Sequence, residues 1–212
     1  MSNLIAFGSS PIMGNPGFPE IIANTLGRNY INKSKPVNSN NKVSRSIMSY
    51  KDYDNDFVLV SWTSTTREEF RSEHGWTPIN RATVKPGNGF EEQWYHGPGR
   101  WEYTGVSTAL KAIILTQAFL KAKQLPYVFV FDNNEILHSV LVTDPDPYFE
   151  SLLSLIDWTK IVLFENNGFI NWCRENNYGI DGNHMFAESH QLTAEYIMTN
   201  FDLSASGNTP AS

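Results

Sequence analysis

Leu4-Ile5-Ala6-Phe7-Gly8-Ser9-Ser10-Pro11-Ile12-Met13-Gly14 decides how this chain is read. An unbroken apolar run is what a strand covered on both faces requires, and Gly, Ser and Pro are turn residues. The strand predicted over 4–8 therefore delivers Ser10 to the carboxyl edge of a sheet, where open α/β sheets keep their ligand sites. Similar runs recur at 29–32, 57–62, 127–131 and 160–164, which gives five strands. Helical patterns alternate with them. The clearest spans 107–123, where Leu110, Ile113, Ile114, Ala118 and Leu120 recur near one face and Pro126 follows as a stop. Shorter helices are expected at 19–26, closed by Gly27, and at 187–198, with Leu192, Ala194, Tyr196 and Ile197. The expected fold class is α/β: three layers, with a mostly parallel five-stranded sheet flanked by helices.

The chain has 212 residues, which is enough for one core, so a single domain over 1–203 is expected. Between 77 and 105 Pro, Gly, Trp and Tyr concentrate without helical period, the pattern of an inserted loop that either serves as a lid or binding surface or tucks its Trp side chains into a satellite core. Residues 204–212 are small and polar and read as a disordered tail. A formal charge of −6 with no Lys/Arg cluster removes the long-range attraction on which nucleic-acid binding depends. The single cysteine, Cys173, cannot form an internal disulfide and sits in an apolar stretch that reads as helix packing. The first residues carry no basic group, and no apolar run approaches the roughly 18–20 residues needed to span a bilayer. A cytoplasmic protein without signal peptide or membrane insertion is the expectation; nothing in the pattern sets its oligomeric state.

A second segment carries chemistry: Asp181-Gly182-Asn183-His184, just ahead of the last helix. An Asp three residues before a His on a tight loop can hold the imidazole Nδ1–H, leaving Nε2 to face a serine hydroxyl. Taken alone, each segment is an ordinary polar turn; together they supply a nucleophile, a base and an orienting carboxylate. His190 does not turn the group into a metal site, because intervals of three and six match no common zinc arrangement. Neither a metal nor a cofactor is expected.

With these residues in place, the chain resembles the SGNH (GDSL-type) hydrolase family. Gly8-Ser9-Ser10 with Gly14 is similar to the family's first block, with Ser9 where the family has Asp. Asp181-Gly182-Asn183-His184 and the following helix are similar to its last block, and the order Ser, Asp, His is the same. The resemblance implies a Ser10, Asp181, His184 triad. It also implies an oxyanion hole made of the Ser10 amide, a glycine amide and an asparagine side chain. The glycine position falls at about Val37 or Asn38 and the asparagine position at Thr63, with Asn40 as a substitute donor and Trp62 beside them on the substrate side. Pro11 has no N–H to add. The implied activity is hydrolysis of small-acyl, carbohydrate-linked esters through an acyl-enzyme, with Trp94, Tyr95, Trp101 and Tyr103 as faces for the substrate. The alternative is a catalytically impaired module that binds a glycan or a protein. Ser61-Trp62-Thr63-Ser64 resembles the third block of SGNH-like proteins from tailed bacteriophages, which implies the host cytoplasm or the virion as the place of action.

Overall fold

A computed structural model of the chain describes residues 2–73, 75–79, 84, 87, 89–97, 102–182 and 184–203. Their strands, in chain order, are β1 (Asn3–Phe7), β2 (Asn29–Asn32), β3 (Phe57–Trp62), β4 (Glu68–Ser72), β5 (Gly75–Ile79), β6 (Tyr127–Phe131), β7 (Ile161–Val162), β8 (Ile180–Asp181) and β9 (His184–Met185). The helices are α1 (Phe18–Thr25), α2 (Asn40–Ser49), α3 (Phe90–His96), α4 (Glu102–Ala122), α5 (Val140–Thr143), α6 (Pro147–Ser154), α7 (Phe169–Glu175) and α8 (Ala187–Asn200).

Five strands form one parallel sheet in the order β2-β1-β3-β6-β7, while β4–β5 and β8–β9 are separate antiparallel hairpins. Side chains alternate between the two faces of a strand, so each strand feeds two cores. Ile5, Phe7, Val58, Val60 and Phe129 meet Val43 and Ile47 of α2 and Leu110 and Ile113 of α4. Leu4, Ala6, Leu59 and Val128 meet Ile22 of α1, Trp172 of α7 and Ile197 of α8. The expected three-layer α/β class is the one observed.

All five expected strands occur, but the last is shorter than 160–164. Lys160 closes a 3-10 turn, Trp158–Lys160, and Phe164 leaves the sheet to bridge Asn167. Helix α4 begins at Glu102 rather than 107, running through Gly105, where a Cβ would stand 2.5 Å from the Thr65 carbonyl oxygen. The described residues of 77–105 include the end of β5, helix α3 and the first turn of α4. The expected tail, 204–212, lies outside the described residues.

The strand order also fixes where a ligand can bind. Helix α1, after β1, covers one face of the sheet, and α2, which leads into β3, covers the other. The chain thus parts in opposite directions between β1 and β3, and a crevice opens at their carboxyl ends. No described helix is long and apolar enough to cross a membrane.

Candidate active site

Ser10 starts a 3-10 turn, Ser10–Ile12, closed by Met13 N–H donating to Ser10 O at 3.0 Å. Pro11 fits the start of such a turn because its fixed φ is already right and its missing N–H would be unused. Gly8 lets β1 end hard against β3: a Cβ there would stand 2.9 Å from both Ile12 Cδ1 and Ser61 Cβ. Gly14 is more tightly confined, because a Cβ there would run into the His190 imidazole. His190 itself is buried on α8, where Nδ1 accepts the Phe18 N–H at 3.2 Å. Burial pushes its pKa down to about 4, so the ring is neutral and carries its proton on Nε2. It ties the Ser10 turn and α1 to α8. Ser10 is half-buried, and among the described residues neither its amide nor its hydroxyl is hydrogen-bonded.

Asp181 and His184 face each other across the β8–β9 hairpin, which turns at Gly182 with φ +59°. Directly opposed residues of an antiparallel pair hold their Cβ atoms roughly 4.5–5.5 Å apart, within reach of a carboxylate and an imidazole. Ile180 and Met185 turn inward to the core, which leaves Asp181 and His184 on the solvent side. Phe186 N–H donates to Gly179 O at 3.0 Å, Ser189 Oγ donates to the same carbonyl, and Arg174 Nη2 donates to Gly182 O. Strand β9 packs against the Ser10–Ile12 turn. Ser10, Asp181 and His184 therefore share one rim, although no hydrogen bond joins them among the described residues.

Beneath this rim lies a buried polar network. Asp132 follows β6 directly; its carboxylate accepts Ser9 Oγ at 2.8 Å and Ser61 Oγ, and its N–H donates to Trp62 O at 2.8 Å. Ser9 Oγ lies 3.3 Å from Thr63 Oγ1, and Arg67 Nη1 donates to Thr63 Oγ1 at 2.8 Å. Burial raises the Asp132 pKa, opposed by the hydroxyls of Ser61 and Ser9 and by the charge of Arg67. Further out, Glu135 Oε2 accepts Ser64 Oγ and the Thr65 N–H, both at 2.7 Å. This staples the loop after β3 to the loop after β6.

The residues expected around an oxyanion occupy this edge with different tasks. Val37 adopts φ +62°, the left-handed region that glycine enters freely and a β-branched residue enters only at a cost. Its turn thus keeps the shape a glycine would give. Asn38 is buried and its Nδ2 donates to Gly8 O at 2.8 Å. Asn40 is committed at both ends to the Thr63 backbone, accepting Thr63 N–H at 2.8 Å and donating to Thr63 O at 3.1 Å. The Thr63 hydroxyl is held between Arg67 and Ser9. Trp62 is not on the substrate side: it is 1% exposed and packs edge-on against Phe129 at 5.2 Å, because even-numbered β3 residues point into the α2/α4 core. Of the expected aromatic faces, Trp94 packs against Phe70, while Tyr103 is exposed and stacks on Tyr148. Tyr95 and Trp101 lie outside the described side chains.

Sequence reading missed Asp132, Ser61 and Arg67. Asp132 had a signal, an acid placed immediately after an apolar strand at the sheet's carboxyl edge. Arg67 had none. A cleft of about 610 Å³, lined by Tyr50, Tyr53, Asp54, Lys123 and Pro126, opens where chain segments enter β3 and β6. That is the opposite edge of the sheet from Ser10.

No family model and no curated protein matches the sequence. Among solved structures, a member of the lipolytic protein G-D-S-L family from Veillonella parvula is similar with a TM-score of 0.49 at 13% identity, over 94% of this chain and 97% of that one. An acetyl xylan esterase from the rumen bacterium Butyrivibrio proteoclasticus is similar with a TM-score of 0.43 at 14% identity, over 93% of this chain and 63% of its own.

Proposed function

We propose that this chain is a serine ester hydrolase in which Ser10 is the nucleophile, His184 the general base and Asp181 its orienting carboxylate. The observation that carries the reading is the packing of the Asp181–His184 hairpin against the Ser10 turn, at the crevice between β1 and β3. His184 takes the hydroxyl proton as Ser10 Oγ adds to the ester carbonyl, and Asp181 stabilises the imidazolium. Collapse expels the alcohol, which leaves with the proton from His184. Water then repeats the sequence on the acyl-enzyme.

Small acyl groups on a carbohydrate are the preferred substrate class. Met13 and Phe186, exposed next to the turn and the hairpin, offer apolar contact to an acyl chain, and Tyr103 on Tyr148 offers a face to a sugar ring. A module that keeps the fold only to bind a glycan or protein is the competing reading, favoured by the commitment of Asn40 and Thr63 to other partners. Hydrolysis of an activated acetyl ester separates the two. Turnover by the wild type that vanishes in Ser10→Ala is expected; a folded wild type without turnover would leave the binding module standing.

A further inference from the structure

We propose that Arg67 donates to the oxyanion formed during ester cleavage, a role that rests on the serine-hydrolase reading above. When Ser10 Oγ adds to the carbonyl carbon, the π pair moves onto oxygen while the hydroxyl proton passes to His184. The alkoxide so formed is stabilised by donors already fixed in place. The nearby side-chain amide does not serve. Asn40 spends its amide on the Thr63 backbone, and Thr63 spends its N–H on Asn40. The Thr63 hydroxyl accepts from Arg67, so its own proton turns inward, toward Ser9 or Asp132. Pro11 has no N–H.

Arg67 fills that gap. A guanidinium has five N–H donors in a rigid fork. One reaches Thr63 Oγ1 at 2.8 Å, and no other partner engages the rest among the described residues. The group is half-buried, and Thr63 Oγ1, which it holds, is 3.3 Å from the hydroxyl of Ser9, the residue next to Ser10 in the chain. Two features hold it there without cancelling it. Thr63 fixes one arm of the fork, and the buried Asp132 carboxylate attracts it from below through the intervening hydroxyls rather than by direct contact. With the Ser10 amide, Arg67 completes a pair of donors for the developing charge.

The test compares wild type, Ser10→Ala, Arg67→Ala and Arg67→Lys on a neutral activated acetyl ester. Removal of one oxyanion donor lowers kcat roughly 10²–10³-fold. Arg67→Ala should lose this much in kcat with little change in KM, and added guanidinium ion should restore part of it, which a purely structural arginine would not allow. Where Arg67→Ala does not fold, Arg67→Lys keeps the charge facing Asp132 but lacks the fork, and should lose at least about tenfold in kcat. Wild-type kcat in folded Arg67→Ala or Arg67→Lys, or a loss that guanidinium does not repair, overturns the role of Arg67 alone. A wild type that neither turns over nor differs from Ser10→Ala overturns the hydrolase reading, and this proposal with it.

Discussion

On the Ser10 side of the crevice, Ser9, Ser61, Thr63 and Asp132 are buried and joined to one another, whereas across from them Asp181 and His184 stand exposed on strands of two residues each. The first side is made by the sheet itself. Its groups lie at the ends of β1, β3 and β6, where desolvation makes every missing partner costly. The second side hangs from α7 and α8 by a few backbone hydrogen bonds and faces water. Position is therefore fixed around Ser10, whereas the Asp181–His184 hairpin faces solvent. Substitutions on the two sides should fail in different ways, the buried side in stability and the exposed side in turnover.

The largest effect is expected from His184→Ala, which should lower kcat on an activated ester by roughly 10⁴-fold or more while moving the thermal midpoint very little. A variant that melted early instead would place His184 with the structural groups and break the contrast. Asp132→Ala should do the reverse. It strands two buried serine hydroxyls and an arginine, and urea unfolding should register a loss of about 3–5 kcal/mol.

Two other buried groups give the stability a pH dependence of opposite signs. His190 is held down at about 4 in the folded chain against 6.5 unfolded, so its contribution is present above about 6.5 and is lost as pH falls toward 4. Glu68 is raised by burial from 4.5 to about 7, so its contribution is complete below about 4.5 and is lost as pH rises to about 7. Each is worth about 3 kcal/mol at its extreme. Unfolding curves of His190→Gln should lack the acid-side loss, and those of Glu68→Gln the loss toward neutral pH. The smallest effect sharpens the Ser10 side: Val37→Gly should relieve the left-handed strain and raise stability by about 1 kcal/mol by thermal melting.

Much of the scaffold was legible in the sequence because strands buried on both faces leave an unbroken apolar record, as in Phe57-Val58-Leu59-Val60-Ser61-Trp62. Helix α2 left almost none. Only Val43 and Ile47 of Asn40–Ser49 are buried apolar residues, and polar groups surround them. The true start of α4 was hidden by Gly105, which reads as a break but is there because the Thr65 carbonyl leaves no room for a Cβ. At the site, Ser10, Asp181 and His184 could be proposed from the sequence because Ser10 ends an apolar strand and an Asp stands three residues before a His; the structure puts the two segments beside each other. Asp132 left a trace, an acid directly after an apolar strand, but its partner Ser9 lies 123 residues away; Arg67 left none, because nothing in the sequence marks its contact with Thr63, four residues back. Trp62 was misplaced for a related reason: the end of a strand is legible, but which face its last side chain takes depends on register.

Reaction of the purified protein with a serine-directed phosphonate, read by peptide mass spectrometry, tests the central claim most directly. A single adduct on the peptide bearing Ser10, absent in Ser10→Ala and slowed in His184→Ala, is the result this account predicts. A folded wild type that takes no label, or a label that persists in Ser10→Ala, would contradict it.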